Sequence, residues 1–356
     1  MSEAGQAATA GSGRGSRGGP VTCFGEMLLR LTPTQNVPLA RAGQLGVEVG
    51  GAEANVAAAL ASLGQPARML TVLPDNPLGR MAQMKLGSAG VDTSALTTAP
   101  GRMGLYFFEP PVGALSGRVT YDRAHSAFAG AAAESVDFDR ALQGAALLHM
   151  SGITPALGPG GVALARAAVA AAKAAGVPIC FDGNYRANLW EAWDSDPRAI
   201  LTDLVAEATI LIGNHRDISL LLGETFSGDG PDRRRLAAEA AFATFPKLEL
   251  IASTARHVET GAVHRIAARV DMRADHWQTD EARVEGIVDR IGTGDAFAAG
   301  LLLRWLEGAS PREMARSALA LAVIKHSLPG DMILATRREL EEFDLAGLGG
   351  GGDVRR

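Results

Sequence analysis

Short apolar runs alternate with helix-like stretches along most of the chain. The run from Val21 to Leu31 predicts a strand, and residues 53–63 predict an Ala-rich helix that ends at Gly64. Further strands are predicted where apolar runs end in polar or glycine residues, as in AALLHMSG, VPICFD, ATILIGN and LELIAS. Helical stretches such as GGVALARAAVAAAKAAG lie between them. Continuous apolar strands in a β-α-β order predict an α/β fold whose mainly parallel sheet is covered on both faces by helices.

Two stretches interrupt this alternation, at about residues 31–49 and 101–122. The second contains alternating aromatic positions around a centre rich in proline and glycine. Such patterns predict antiparallel hairpin strands inserted into the α/β body. We expect these strands to form a small β-sheet lid over the C-terminal edge of the main sheet, where open α/β sheets bind ligands.

The two ends of the chain differ from this body. Residues 1–20 are rich in Gly, Ser and Ala and predict a disordered tail, and residues 346–356 predict a flexible C-terminal tail. The remaining residues, 21–345, predict a single large domain.

Composition argues against several classes of protein. The formal net charge is -5 and no long Lys/Arg run occurs, which does not favour a nucleic-acid partner. No apolar stretch reaches the ~18–20 residues that span a bilayer, and the N-terminus lacks the pattern of a signal peptide. Cys23 and Cys180 lie in apolar runs and predict buried, reduced thiols. We therefore expect a cytoplasmic protein without a membrane or nucleic-acid partner.

The segment most informative about chemistry is DRIGTGDAFAAGLLLRW, residues 289–305. Gly292 and Gly294 predict a tight turn that opens into an apolar helix, whose first N–H groups form an anion site. Asp295 stands at the start of this helix. The pattern by itself leaves two interpretations of Asp295: a general base beside a transferring phosphate, or a carboxylate that stabilises the helix dipole.

DRIGTGDAFAAG resembles the C-terminal signature of the PfkB, or ribokinase-like, carbohydrate kinases, and VGGAEANVAAALASL, residues 49–63, resembles their N-terminal signature. The resemblance implies a three-layer α/β/α fold with a small β lid, and an ATP-dependent carbohydrate kinase. It implies that Asp295 is the catalytic base and that Gly292, Thr293 and Gly294 form the anion hole. It also implies that Gly50 and Gly51 bring the backbone close to the sugar, whereas Asn55 has a packing role as its simplest interpretation.

Four further segments resemble the members of this family that act on 2-keto-3-deoxygluconate. They contain Glu26 with Arg30 shortly after it, Tyr121 and Arg123 (VTYDRAHSA), Ile153 (SGITPAL) and Arg186 (FDGNYRANLW). Tyr121, Arg123, Ile153 and Arg186 are the candidate substrate residues among them. The resemblance implies that these residues bind the substrate together with Asp295, and that ATP phosphorylates its 6-hydroxyl. A guanidinium binds a carboxylate in a bidentate manner, which suits a sugar acid. The alternative is that each arginine is a surface residue paired with a nearby acid.

The nucleotide and metal residues are less clearly marked. Asn214 and Asp217 resemble the family's Asn-x-x-Glu segment near Mg²⁺ and the phosphates, with Asp in place of Glu; the alternative is a helix cap. Thr254 stands where the family carries a nucleotide loop, but the glycines of that loop are missing here. The resemblance implies nucleotide contacts from Asn214, Thr254, Gly292 and Gly294, with ATP and Mg²⁺ bound.

Other functions remain open at this point. A fructokinase or a ribokinase-like enzyme would share the same signatures, and a non-catalytic regulator that binds a nucleotide or a sugar is a different class. A Rossmann-type dehydrogenase requires G-x-G-x-x-G after the first strand, which Gly50 and Gly51 do not provide. The inserted strands also predict a homo-oligomer formed partly through the lid, because exposed sheet edges and apolar faces are usually covered.

Overall fold

A computed structural model describes residues 18–345 except 36, 113–114 and 261–262, so both predicted tails lie outside the described residues apart from residues 18–20. In chain order the strands are β1 (Val21–Phe24), β2 (Leu28–Pro33), β3 (Leu45–Gly50), β4 (Ala67–Leu70), β5 (Val72–Pro74), β6 (Thr97–Ala99), β7 (Gly104–Glu109), β8 (Arg118–Asp122), β9 (Leu147–Ser151), β10 (Ile179–Asp182), β11 (Ile210–Ile212), β12 (Leu250–Thr260), β13 (Val263–Met272), β14 (His276–Gln278) and β15 (Ala282–Glu285). The helices are α1 (Ala52–Ser62), α2 (Pro77–Ser88), α3 (Phe138–Leu142), α4 (Ile153–Ala156), α5 (Pro159–Ala174), α6 (Ala187–Trp190), α7 (Pro197–Val205), α8 (His215–Leu222), α9 (Pro231–Thr244), α10 (Thr293–Leu306), α11 (Pro311–His326) and α12 (Arg337–Glu342).

The larger sheet has the strand order β14-β13-β12-β11-β10-β9-β1-β4, and β15 pairs with β13. Strands β4, β1, β9, β10, β11 and β12 are parallel, whereas β13, β14 and β15 are antiparallel to their neighbours. One apolar cluster packs α1, α10 and α11 on one face, and a second packs α5, α7 and α9 on the other. The predicted three-layer α/β/α arrangement is thereby confirmed. Its cause is that strands buried on both faces need helices on both sides.

Strands β3, β2, β7 and β8 form a separate four-stranded sheet, called here the small sheet. Pairs β2–β3 and β7–β8 are antiparallel as predicted, but β2 and β7 join them in parallel. The single strand predicted from Val21 to Leu31 is wrong, because the chain leaves the larger sheet after Phe24 and enters the small sheet at Leu28. Gly25 lies at this crossing and packs closely on Glu53, since a Cβ there would lie 2.0 Å from Oε2 of Glu53.

Strand β12 also differs from expectation. The apolar run LELIAS predicts a short strand, but β12 continues to Thr260 and pairs antiparallel with β13. Helix α1 lies within one residue of its predicted bounds. Within the part of the chain that the structure describes, no helix combines the length and apolarity needed to cross a lipid bilayer.

Candidate active site

The carboxyl ends of the parallel strands open into a cavity of about 790 Å³, called here the larger cavity. Its floor comes from segments that follow β1, β10 and β11 and from the start of α10, and the small sheet forms one wall. The predicted site residues that line it are Gly51, Tyr121, Arg123, Ile153, Arg186, Asn214, Asp217, Thr254, Gly292, Thr293, Gly294 and Asp295. Gly50 does not line it. The fold therefore brings into one cavity residues that lie more than 200 positions apart in the sequence.

Residues Gly292–Gly294 form the predicted turn at the start of α10, called here the glycine turn. Gly292 has a φ of 83°, in the left-handed region, and a Cβ there would lie 2.0 Å from the carbonyl oxygen of Asp331. No side chain caps the helix at this end. The turn therefore presents backbone N–H groups and the positive end of the helix dipole to the larger cavity, which suits an anion such as a phosphate.

Asp295 lies in the first turn of α10 and lines the larger cavity. Its Oδ2 accepts a hydrogen bond from Nδ2 of Asn55 at 2.6 Å. Burial, followed by the charges of Glu53 and Asp331, raises the pKa of Asp295 to about 7, against the opposing effect of the Asn55 hydrogen bond. A carboxylate with a pKa near neutrality, beside an anion site, is well suited to accept a proton from an attacking hydroxyl.

The sequence suggests a packing role for Asn55, but in the structure its side chain forms a hydrogen bond with Asp295. Because its hydrogen bond favours ionised Asp295, Asn55→Ala is expected to raise the pKa of Asp295 above about 7. The acid limb of kcat/KM should then move to higher pH, with the loss of rate largest at acidic pH and partly recovered at alkaline pH. Ser62→Ala, at the other end of α1, is the control. An unchanged acid limb in Asn55→Ala would contradict the assignment of that limb to Asp295.

Gly50 and Gly51 each allow another part of the chain to approach the backbone closely. Gly51 has a φ of 139°, and a Cβ there would lie 2.5 Å from the carbonyl oxygen of Glu26. A Cβ on Gly50 would lie 2.0 Å from Oδ2 of Asp331. Gly51 therefore borders the cavity itself, while Gly50 makes room for a carboxylate that lines it.

The two predicted substrate arginines have different surroundings. Arg123 is buried, and its guanidinium is ion-paired with Glu26, to which Nε donates at 2.8 Å; Glu26 also accepts from Ser126. The local acid Asp122 pairs with Arg102 instead. Arg186 is exposed, and its Nη1 donates to the carbonyl oxygen of Tyr185 at 3.1 Å. Its charge has no acidic partner within 4.0 Å among the described residues, so it is the better placed to bind a ligand carboxylate.

A buried network links the small sheet to the glycine turn, and the sequence interpretation missed it. Arg30 Nη1 donates to Asp289 at 2.6 Å and to Asp331 at 3.1 Å, and Tyr106 donates to Asp331. Asp289 in turn accepts from the backbone N–H of Ile291 at 2.9 Å. Removing one member of such a buried pair costs about 3–5 kcal/mol, so the network holds the glycine turn firmly relative to the small sheet. The sequence signal was Asp289 at the start of the C-terminal signature.

Asn214 and Asp217 form a capping box at the start of α8. The Asn214 side chain accepts from the backbone N–H of Arg216, and Asp217 accepts from the backbone N–H of Asn214 at 2.8 Å. Burial raises the pKa of Asp217, and burial with the charges of Asp295 and Asp217 raises the pKa of neighbouring Asp182 well above its usual range. The side chains of Asn214 and Asp217 both contain oxygen atoms, which are the ligands that Mg²⁺ prefers. No group of three His, Cys, Asp or Glu side chains arranged to hold a metal occurs in the described residues.

A second cavity of about 630 Å³, called here the smaller cavity, adjoins the first. Both are lined by Arg186, Asn214, Arg216, Thr254, Thr293 and Gly294, among others. The smaller cavity continues between α8, α9, β12, β13 and α11. Thr254 and the glycine turn therefore lie where the two cavities meet. Two ligands held in these cavities would approach each other beside Asp295.

This fold and site define a phosphotransferase that acts on a small molecule: an anion-binding turn and a carboxylate of raised pKa lie between two connected cavities. The family model described as pfkB family carbohydrate kinase matches residues 20–336. The chain belongs to the pfkB family of carbohydrate kinases.

Individual relatives support this assignment over nearly the whole chain. The 2-dehydro-3-deoxygalactonokinase of Haloferax volcanii is 32% identical over 319 residues, which cover 89% of this chain and 94% of the relative. The 2-dehydro-3-deoxygluconokinase of Bacillus subtilis is 26% identical over 90% of this chain and 94% of its own length. The crystal structure of 2-dehydro-3-deoxygluconokinase from Thermotoga maritima is 34% identical, with a TM-score of 0.85, and the match covers 91% of this chain and 98% of that one.

Proposed function

We propose that this carbohydrate kinase transfers the γ-phosphoryl group of ATP to the 6-hydroxyl of 2-keto-3-deoxygluconate, giving 2-keto-3-deoxy-6-phosphogluconate and ADP. The observation that carries the choice of a sugar acid is Arg186, a guanidinium without an acidic partner at the cavity that also contains Asp295. The substrate carboxylate would supply that partner. The names of the three relatives, which refer to 2-keto-3-deoxy sugar acids, agree with this choice.

The residues divide the chemistry between them. Asp295 accepts the proton of the 6-hydroxyl while the oxygen of that hydroxyl forms a bond to the γ-phosphorus. At the same time the bond from the γ-phosphorus to the oxygen of the β-phosphate breaks, and ADP leaves. The backbone N–H groups of the glycine turn stabilise the charge on the transferred group. Gly51, Tyr121, Arg123 and Ile153 are proposed to position the sugar acid together with Arg186, since all of them line the larger cavity.

The smaller cavity is proposed as the donor site. Asn214 and Thr254, at its junction with the larger cavity, are proposed to contact the phosphates of ATP together with Gly292 and Gly294. Mg²⁺ would be held indirectly by Asn214 and Asp217, and its chemistry would be to neutralise phosphate charge. Because few protein ligands are available, most of the ion's ligands would come from phosphates and water.

The test is ADP release with Mg-ATP and a panel of acceptors: 2-keto-3-deoxygluconate, 2-keto-3-deoxygalactonate, fructose and ribose. We expect turnover with the gluconate and little with the neutral sugars. The galactonate is included because the Haloferax volcanii relative carries that name and shares 32% identity. A preference for the galactonate would move the assignment to that epimer, and a preference for fructose or ribose would refute the sugar-acid proposal. Binding of ATP without turnover on any acceptor would favour a non-catalytic regulator.

We also propose a homo-oligomer formed through the small sheet. Leu45 and Val47 are exposed apolar residues of its edge strand β3, on the face opposite to the one that carries Tyr121. Two copies of this sheet packed through that face would cover Leu45 and Val47. Light scattering at micromolar concentration is expected to give a multiple of the 36.9 kDa chain mass. A mass of one chain would contradict the proposal.

A further inference from the structure

Five arginines around the two cavities lack an acidic partner within 4.0 Å among the described residues: Arg186, Arg216, Arg234, Arg256 and Arg290. Arginines elsewhere in the same region are paired, as Arg269 is with Asp271 at 2.6 Å. Uncompensated cations repel one another, and a cluster of them is typical of a site that takes a strongly charged anion. Arg256 and Arg290 are of particular interest because no proposed contact uses them.

Arg256 and Arg290 lie close enough to affect each other. Burial and then the charge of Arg290 lower the pKa of Arg256. Nε of Arg290 is buried and has no hydrogen-bond partner. His264 is fully buried near both, with neither ring nitrogen bonded, and burial followed by these two charges lowers its pKa to about 4. The neutral imidazole adds no charge, and the two guanidinium groups remain uncompensated.

Arg290 and Arg256 both lie beside the region proposed to hold the phosphates of the donor. Arg290 lies two residues before the glycine turn, and its carbonyl oxygen accepts from Oγ1 of Thr293 at 3.0 Å. Arg256 stands in β12, which pairs with β13, with Arg256 opposite Ile266. Arg256 lines the smaller cavity from this strand.

The remainder of the smaller cavity offers little that distinguishes one base from another. Its apolar lining is aliphatic, contributed by Ile218, Ala238, Ile251, Ala255, Ile266 and Ala322. No Phe, Tyr or Trp lines it in the described residues, and its ring side chains are the small imidazoles of His215, His257 and His326, which offer a base less stacking area. The charge of the phosphates is therefore the feature of a nucleotide that this cavity matches best.

We propose that Arg256 and Arg290 clamp the phosphates of the donor, and that the donor site recognises the triphosphate rather than the base. The proposal rests on the assignment of the smaller cavity to the donor. It names two binding residues beyond the glycine turn and gives a specificity for the reaction: nucleoside triphosphates in general, with inorganic triphosphate as a competing ligand.

Donor specificity is tested first with the full chain and its best acceptor. We expect kcat/KM values for ATP, GTP, CTP and UTP within about fivefold of one another, because aliphatic contacts discriminate weakly between bases. A preference for ATP of about 100-fold or more over both pyrimidine nucleotides would overturn the proposal, since such a ratio requires recognition of the base.

The arginine pair is tested by calorimetric titration of inorganic triphosphate, which needs no acceptor and so separates this proposal from the choice of sugar. Arg256→Ala and Arg290→Ala are each expected to weaken binding about tenfold, the effect of one charge-assisted hydrogen bond. Arg256→Lys should retain most of the affinity, and it tests the site if the alanine variant fails to fold.

Arg265→Ala is the matched control, because it removes the same charge from the same hairpin at an exposed position paired with Glu259. Its affinity for triphosphate should equal that of the unaltered protein. An equal loss in Arg265→Ala and Arg256→Ala would show a general effect of net charge and overturn the clamp. Unchanged affinity in both Arg256→Ala and Arg290→Ala would overturn it as well.

Discussion

Asp295→Asn is expected to reduce kcat by roughly 10²–10⁴-fold, the usual contribution of a positioned general base. Asparagine keeps the shape of the side chain, and its amide can still contact Asn55, but it cannot accept the proton of the substrate hydroxyl. Affinity for the sugar acid should change by only a few fold, because binding depends on the other residues of the larger cavity. Single-turnover kinetics with Mg-ATP, together with direct titration of the sugar acid, separate the two effects.

The pH profile gives an independent measure of the same residue. The pKa of Asp295 is raised to about 7, and only the ionised carboxylate accepts a proton. For the unaltered enzyme, kcat/KM should therefore be full above about pH 8 and fall as the pH drops through about 7. The residual activity of Asp295→Asn should lack this limb. A residual rate that keeps the limb, or a kcat within about threefold of the unaltered enzyme, would remove Asp295 from the role of base.

Arg186→Ala is expected to lower kcat/KM for the sugar acid by about 30- to 4,000-fold, because truncating one partner of a charged hydrogen-bonded pair costs about 2–5 kcal/mol. The residual rate with a neutral sugar should change little, since no carboxylate is present to lose. Arg166→Ala is the control: Arg166 is an exposed arginine paired with Asp203, away from both cavities. Equal losses on the acid and the neutral sugar would contradict a carboxylate contact.

Arg186 also borders the smaller cavity, so its effect on the donor must be measured separately. An increase in KM for ATP without an increase for the sugar acid would assign Arg186 to the phosphates. Arg123 is a poorer choice for this experiment. Removing Arg123 would leave Glu26 buried without its partner, which costs about 3–5 kcal/mol of stability and lowers activity for reasons unrelated to the substrate.

Local sequence patterns predicted much of the architecture for a simple physical reason. Strands buried on both faces must be continuously apolar, and glycines at the start of an apolar helix mark a tight turn with free N–H groups. Helix α1 and the glycine turn were both found in this way. The crossing from the larger sheet to the small sheet after Phe24 could not be predicted, because an apolar run has the same pattern whether it stays in one sheet or crosses to another.

Partners of charged residues were also beyond the reach of sequence patterns. Arg123 was weighed against its neighbour Asp122, yet it pairs with Glu26, about 100 residues away. Arg30 pairs with Asp289 and Asp331. Electrostatic pairing depends on distance in space, and many acids along the chain are equally plausible partners until the strands are placed.

The sequence by itself determined the layered α/β fold and the glycine turn that precedes Asp295, because backbone conformation and apolar periodicity are local properties. Only the tertiary structure decided which guanidinium groups remain without an acidic partner and which carboxylate has a pKa near neutrality. Those properties arise from burial and from charges on distant segments. Asp295 acquires its raised pKa from burial and from Glu53 and Asp331, which the fold brings to the same cavity.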